Sequence, residues 1–93
     1  MYDIRELLGN RIRFLRKKLK LSQEGLALKA GLDRTYVASI ENGKRNVSVI
    51  NIERIANALN CSLFDLFNSD EFKQIYSSDK LDKVADKSTN YYS

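Results

Sequence analysis

The 93-residue chain is long enough for one folded domain and too short for two. Its composition, 43% apolar and 30% charged, is typical of a soluble folded protein. No apolar run approaches the ~18–20 residues of a membrane span, and the first residues lack the apolar stretch of a signal peptide, so we expect a cytoplasmic protein. The chain has no histidine and one cysteine, which removes the commonest general base and the usual zinc sites. We therefore expect no enzymatic activity, cofactor, metal, small-molecule substrate or membrane partner.

The positive charge is concentrated in the first two thirds of the chain. Residues 1–67 contain 12 Lys and Arg against 7 Asp and Glu, whereas residues 68–93 contain 4 against 5. A basic domain beside a nearly neutral tail is the electrostatic footprint of a polyanion-binding protein. A solvated basic face would have the same composition, so charge alone leaves both interpretations open.

Helical periodicity recurs five times in residues 1–67, and no proline interrupts it, which predicts an all-α fold. The first predicted helix spans about residues 4–18. Its buried stripe, at helical spacing, consists of Leu8, Ile12, Leu15 and Leu19.

The second and third predicted helices span residues 23–30 and 34–42. Each follows a residue that favours the N-cap position and ends at a glycine, which adopts a left-handed conformation at low cost. These boundary residues are Ser22 and Gly31 for the second helix and Asp33 and Gly43 for the third.

Ser48 and Ser62 are the predicted N-caps of the fourth and fifth helices, and Asp65 completes a capping box with Ser62. Between these two helices, Cys61 is interpreted as an unreactive thiol of the core or of an interface. Residues 68–93 are more polar and are predicted to form a tail that is partly helical or disordered. The predicted folded domain is therefore residues 1–67.

Residues 23–42 have the spacing of a helix-turn-helix. Ala27 is small where the two helices cross, and Gly31 allows the sharp turn between them. The second helix of the pair is seated on the core by Leu32, Val37 and Ile40. Such a unit presents the N-terminal end of its second helix outward, with dimensions that fit the major groove of DNA.

Several segments together resemble the Cro/repressor-like (Xre) helix-turn-helix family over residues 8–67. These segments are Leu21-Ser22-Gln23-Glu24, Leu26-Ala27, Ala30-Gly31-Leu32, Ile40-Glu41-Asn42-Gly43-Lys44-Arg45, residues 52–59 and residues 63–67. Within this family, Leu32-Asp33-Arg34-Thr35-Tyr36 and Arg45-Asn46 are similar to the controller proteins of restriction–modification systems. The resemblance implies a five-helix, lambda-repressor-like DNA-binding domain.

The second helix of the pair, residues 34–42, is the recognition helix of such a unit, and it supplies the candidates for reading bases. Arginine can donate two hydrogen bonds to guanine, and threonine can bond a base or contact a thymine methyl group. The candidate base-reading residues are Arg34, Thr35, Ala38, Ser39 and Asn42. The candidates for binding the DNA backbone are Gln23, which resembles the phosphate-binding glutamine of the family, and the flanking Tyr36, Lys44, Arg45, Asn46 and Ser48. Arg45 remains open to an alternative contact with a base or the minor groove.

The resemblance also implies a structural ion pair between Arg16 and Glu41, which would fix the recognition helix without touching DNA. Leu63, Phe64 and Phe67 offer more apolar surface than a small domain can bury, and they are the candidate homodimer interface. We expect a twofold dimer that binds double-stranded DNA at a palindromic operator.

The preferred function is a sequence-specific transcription regulator that controls its own restriction–modification operon. A phage-like or chromosomal repressor would use the same chemistry, so the sequence does not separate the two. An antitoxin or adaptor that binds proteins through the same scaffold is a further alternative, although the short polar tail counts against it. The absence of histidine and of an acidic cluster counts against a nuclease.

Overall fold

The computed structural model describes residues 3–75, of which residues 74 and 75 are described by their backbone alone. This part of the chain contains helices and no strand. The helices are α1 (Ile4–Lys18), α2 (Gln23–Ala30), α3 (Arg34–Glu41), α4 (Val49–Ala58), α5 (Leu63–Phe67) and α6 (Asp70–Ile75). The first five confirm the all-α prediction, and α6 falls in the segment predicted to be partly helical. Leu81, Val84 and Ala85 in the predicted tail have the spacing of a further short helical turn, and these residues lie outside the described part of the chain.

Side-chain caps determine where the first five helices begin. At each of these N-termini a side-chain oxygen accepts a hydrogen bond from a backbone N–H of the first turn, which would otherwise lack a partner. The capping residues are Asp3, Ser22, Asp33, Ser48 and Ser62. The capping box between Ser62 and Asp65 is present as predicted.

Two glycines allow the chain to turn at the ends of α2 and α3. Gly31 has a φ of 68° and Gly43 a φ of 73°, in the left-handed region that glycine adopts without steric cost. Helix α3 ends at Glu41, one residue before its predicted end, and Asn42 is its C-cap. Both turns were predicted from the positions of these glycines.

The core is a single apolar cluster to which each of α1–α5 contributes. The most deeply buried side chains are Ile12, Leu26, Val37, Ile40, Ile55 and Leu66. The prediction that Leu19 belongs to the buried stripe of α1 is wrong, since this side chain is 41% exposed. Leu19 is the C-cap of α1, and Lys20 then turns the chain with a φ of 58°, so the stripe ends before Leu19.

Helices α1 and α3 approach closely at Gly9. A Cβ atom at this position would clash with the backbone carbonyl oxygens of Ile40 and Glu41. Gly9 therefore permits the contact that brings the end of α3 against α1, a role that no local sequence pattern indicates.

Two further features bear on the expected class of protein. In the stretch that the structure describes, none of the helices combines the length and the apolar character needed to cross a membrane. Cys61 is half-buried, and burial together with the charge of Asp65 raises the pKa of its thiol. A thiol with a raised pKa stays protonated at neutral pH, which favours the interpretation of Cys61 as an unreactive thiol.

Candidate nucleic-acid interface

Helices α2 and α3 form the helix-turn-helix. The buried Ala27 lies in the core, and the N–H of Leu32 donates to the carbonyl oxygen of Ala27 at 2.9 Å, which closes the turn at Gly31. At the start of α3, the carboxylate of Asp33 accepts a hydrogen bond from the N–H of Thr35 at 2.7 Å. Arg34 and Thr35 are both exposed, so the N-terminal end of α3 is available to a ligand.

The next turn of α3 carries two further predicted base-reading residues, Ala38 and Ser39, which are half-buried. The Ser39 hydroxyl donates to the carbonyl oxygen of Tyr36 at 2.8 Å and accepts from Nε of Arg45 at 3.0 Å. The guanidinium of Arg45 also lies over the Tyr36 ring, 5.5 Å from its centroid. In this conformation Arg45 is held against α3.

Tyr36 is held from a second side by Asn51. The side-chain amide nitrogen of Asn51 donates to the Tyr36 hydroxyl at 3.1 Å, and this bond joins α3 to α4. Asn51 could not be predicted from the sequence, because a polar residue in the first turn of a helix has no distinctive pattern. Its role becomes visible only when α3 and α4 are packed together.

The loop between α3 and α4 carries the other predicted backbone-binding residues. Lys44, Arg45, Asn46 and Ser48 are all exposed. The N–H of Lys44 donates to the carbonyl oxygen of Ser39 at 2.9 Å, which fixes the start of the loop against α3. The loop therefore lies beside the recognition helix and adds Lys44 and Arg45 to its positive surface.

The Glu41 carboxylate joins three helices beneath this surface. Arg16 of α1 donates to it twice, from Nε to Oε2 at 2.7 Å and from Nη2 to Oε1 at 2.9 Å, and both groups are buried. Gln23 of α2 donates to the same carboxylate at 3.1 Å, and Arg13 of α1 donates at 3.4 Å. The pair expected between Arg16 and Glu41 is therefore present, within a larger network.

The network keeps Glu41 ionised. Burial raises the pKa of this carboxyl, but the hydrogen bonds from Arg16, Gln23 and Arg13 outweigh burial and hold the pKa below its ordinary value of 4.5. The same pairing raises the pKa of Arg16. Both groups are thus charged at neutral pH, and each satisfies the other in the core.

Two predicted DNA-contacting residues also take part in this network. The Gln23 amide bonds Glu41, although Gln23 begins α2 and remains partly exposed at its N-terminus. Asn42 is exposed, and its Oδ1 accepts a hydrogen bond from Nη2 of Arg13 at 3.1 Å. Asn42 thus lies at the end of α3 that is remote from Arg34 and packs toward α1.

A separate apolar surface surrounds α5. Leu63, Phe64 and Phe67 are exposed, with Phe64 74% exposed, while Leu66 on the opposite face of the helix is fully buried. Ile4 and the side chain of Phe72 from α6 complete an open groove of about 870 Å³ at this surface. Phe67 and Phe72 pack edge to face with centroids 5.3 Å apart. We call this the α5 surface.

A DNA-binding domain is defined by three features together: the pair of helices α2 and α3, the exposed Arg34 at the N-terminus of α3, and the basic loop that follows α3. A family profile described as helix-turn-helix matches residues 12–66, and the chain belongs to this family. The family consists of DNA-binding transcription regulators and not of enzymes, which confirms the predicted class. It also confirms the resemblance to Cro/repressor-like (Xre) proteins and to restriction–modification controller proteins.

Three relatives illustrate this likeness. The control protein C.MunI from a Mycoplasma species is 51% identical over 72 residues, which cover 76% of this chain and 97% of C.MunI. The crystal structure of the controller protein C.AhdI from Aeromonas hydrophila is 47% identical with a TM-score of 0.69, covering 71% of this chain and 100% of C.AhdI. The structure of a C.Esp1396I controller tetramer with its natural 35 base-pair operator is 31% identical with a TM-score of 0.68, covering 72% of this chain and 88% of that one.

Proposed function

We propose that this protein is a homodimeric, sequence-specific regulator that binds a palindromic operator and controls a restriction–modification operon, including its own gene. The observation that carries the proposal is the 51% identity to C.MunI over nearly the whole length of that control protein. A match of this extent covers the recognition helix, the basic loop and α5 together. It therefore favours a controller over a repressor that shares only the helix-turn-helix.

Base reading in this proposal centres on the first turn of α3. Arg34 and Thr35 are exposed, and the cap from Asp33 fixes the backbone that carries them. Arg34 donates to guanine O6 and N7, and Thr35 contacts a neighbouring base. Ala38 and Ser39 extend the same surface by one turn, with Ala38 permitting close approach. Asn42 contributes least, because its side chain is held by Arg13.

Contacts with the DNA backbone surround this reading surface. Gln23 and the N-terminus of α2 face a phosphate on one side, where the helix dipole favours a negative charge. On the other side, the loop after α3 supplies the positive charges of Lys44 and Arg45. Three further side chains complete the backbone-binding set by donating hydrogen bonds to phosphate oxygens, namely Tyr36, Asn46 and Ser48.

The second copy binds at the α5 surface. Leu63, Phe64 and Phe67 are exposed in the monomer, and contiguous apolar surface of this kind marks a protein–protein interface. One recognition helix reads only a few base pairs, so two copies related by twofold symmetry gain specificity by reading half-sites about 34–36 Å apart.

Footprinting and titration with the promoter DNA upstream of the gene test this proposal. We expect protection of a palindromic site and an affinity at least ~10³-fold higher than for a scrambled duplex at the same salt concentration. Equal affinity for both duplexes would overturn the assignment as a sequence-specific regulator. Neighbouring methyltransferase and endonuclease genes distinguish a controller from a phage-like repressor, and binding to a protein partner without operator binding would favour an antitoxin or adaptor.

A further inference from the structure

Among the side chains of α1, that of Arg11 makes the hydrogen bonds that span the greatest separation in sequence. Arg11 belongs neither to the recognition surface nor to the Glu41 network. Its Nε donates to the carbonyl oxygen of Leu66 at 2.9 Å, and its Nη2 donates to those of Asp65 at 2.8 Å and Asn68 at 3.2 Å. All three acceptors belong to the C-terminal end of α5 or to the residue that follows it. A single guanidinium group therefore joins α1 to the end of α5.

These bonds matter because α5 has only five residues and cannot be stable alone. The last carbonyl groups of a helix lack partners within the helix, and a positive charge near them is favourable. Backbone bonds close this terminus only in part: the N–H of Asn68 donates to the carbonyl oxygen of Asp65 at 3.3 Å and that of Ser69 to the carbonyl oxygen of Phe67 at 3.1 Å. Arg11 thus supplies the main hydrogen bonds to the carbonyl groups of Asp65 and Leu66 at this terminus.

The α5 surface depends on the orientation of the helix that Arg11 holds. Leu66 packs into the core on one face, and Phe64 and Phe67 project from the other. Since these side chains are one turn or less from the carbonyl groups that Arg11 binds, a shift of the α5 terminus would displace them. Arg11 itself is half-buried, and its guanidinium lies over the Phe14 ring at 5.7 Å, which restricts its movement.

We propose that Arg11 is a positioning residue for self-association: it holds α5 so that Phe64 and Phe67 meet a second copy of the chain. This inference rests on the proposed homodimer at the α5 surface. Arg11 makes no contact with the partner in this role. It acts through the three backbone carbonyl groups, in a way that a lysine cannot reproduce, since the planar fork of arginine reaches several acceptors at once.

Sedimentation equilibrium of the full chain, with thermal melting of the same samples, tests the proposal. We expect Arg11→Ala to raise the dimer dissociation constant by about tenfold or more, because hydrogen bonds from a charged donor are lost at the interface helix. Arg11→Lys should restore only part of the association and also covers the case in which Arg11→Ala fails to fold. The matched control is Lys18→Ala, which removes a positive charge over the same Phe14 ring at 5.6 Å and leaves the bonds to α5 in place. The control should dimerise like the wild type.

Three results would overturn the inference, and they are distinguishable. An unchanged dissociation constant together with an unchanged melting temperature for both Arg11 variants would show that Arg11 neither positions the interface nor stabilises the fold. A lowered melting temperature with unchanged association would give Arg11 a purely structural role. A wild-type chain that stays monomeric at high micromolar concentration would refute the homodimer itself, whatever the behaviour of the variants.

Discussion

Replacing Glu41 with alanine should destabilise the domain far more than it changes any contact with DNA. Glu41 is buried and accepts hydrogen bonds from Arg16, Gln23 and Arg13. Removing one member of a buried ion pair costs ~3–5 kcal/mol, since the other charge is left without a partner. We expect the lower end, about 3 kcal/mol, because Arg16 keeps its bond to the carbonyl oxygen of Leu21 at 2.9 Å.

A loss of this size is large beside the ~5–15 kcal/mol that stabilises a small domain. For a chain of this length, each kcal/mol lowers the melting temperature by about 4–8 °C, so Glu41→Ala should melt roughly 12–24 °C below the wild type. The measurement is circular dichroism at neutral pH. Arg5→Ala is the control, since it breaks an ion pair with Asp3 that is exposed to solvent and should leave the melting temperature close to that of the wild type.

Operator titrations at temperatures where Glu41→Ala is fully folded separate stability from recognition. If Glu41 acts only through the fold, its affinity per folded dimer should stay within a few-fold of the wild type. Unchanged melting with lost operator binding would show that Glu41 contacts DNA. Unchanged melting with unchanged binding would show that the network contributes little, and the reasoning from burial would be refuted.

The ionisation of Glu41, base reading by Arg34 and the close contact at Gly9 can each be tested as well. Because the pKa of Glu41 lies below its ordinary value of 4.5, the stabilisation of the fold by ionised Glu41 is complete above pH 4.5 and is lost as the pH falls through the pKa of the folded state. Thermal melts at acid pH should show this loss of stability, and Glu41→Gln should not show it. Arg34→Ala should cost ~1–3 kcal/mol of operator binding and relax the base preference at one position of the operator. Lys44→Ala should instead lower the affinity for all DNA sequences alike and reduce its salt dependence. If Arg34→Ala lowers the affinity for scrambled DNA as much as that for the operator, Arg34 is a phosphate contact. Gly9→Ala should destabilise the fold by ~1–3 kcal/mol in urea titrations, because the added Cβ would clash with the backbone of α3. The control Asn10→Ala changes an exposed residue and should cost ~0.5 kcal/mol or less. Similar unfolding midpoints for the two variants would contradict the clash at Gly9.

The helices and their ends could be predicted because local residues determine them. Ser22 and Asp33 cap the helices that they precede, and Gly31 turns the chain where the sequence placed the turn. The error at Leu19 has a local cause as well. The helical spacing of apolar residues continues in the sequence past the last helical residue, but Lys20 turns the backbone away at that point.

Contacts between distant residues could not be predicted in the same way. Arg11 reaches carbonyl groups more than fifty residues away, and a backbone carbonyl has no sequence signature. Asn51 and Tyr36 meet only because α3 and α4 pack together. Only the pair between Arg16 and Glu41 was anticipated, and it required the family resemblance. The participation of Gln23 in that network was not foreseen.

Two arginines of α1, Arg11 and Arg16, support different surfaces of each protomer in the proposed dimer. Arg16 holds α3 through Glu41, and Arg11 holds α5 through its terminal carbonyl groups, so one 15-residue helix connects the reading surface to the α5 surface. In a twofold dimer, the distance between recognition helices depends on every link along this path. A helix transmits such constraints well because its own hydrogen bonds fix the relative positions of residues five apart. Loosening either arginine should therefore alter how strictly the protein requires one half-site spacing, even where each α3 still reads its own bases.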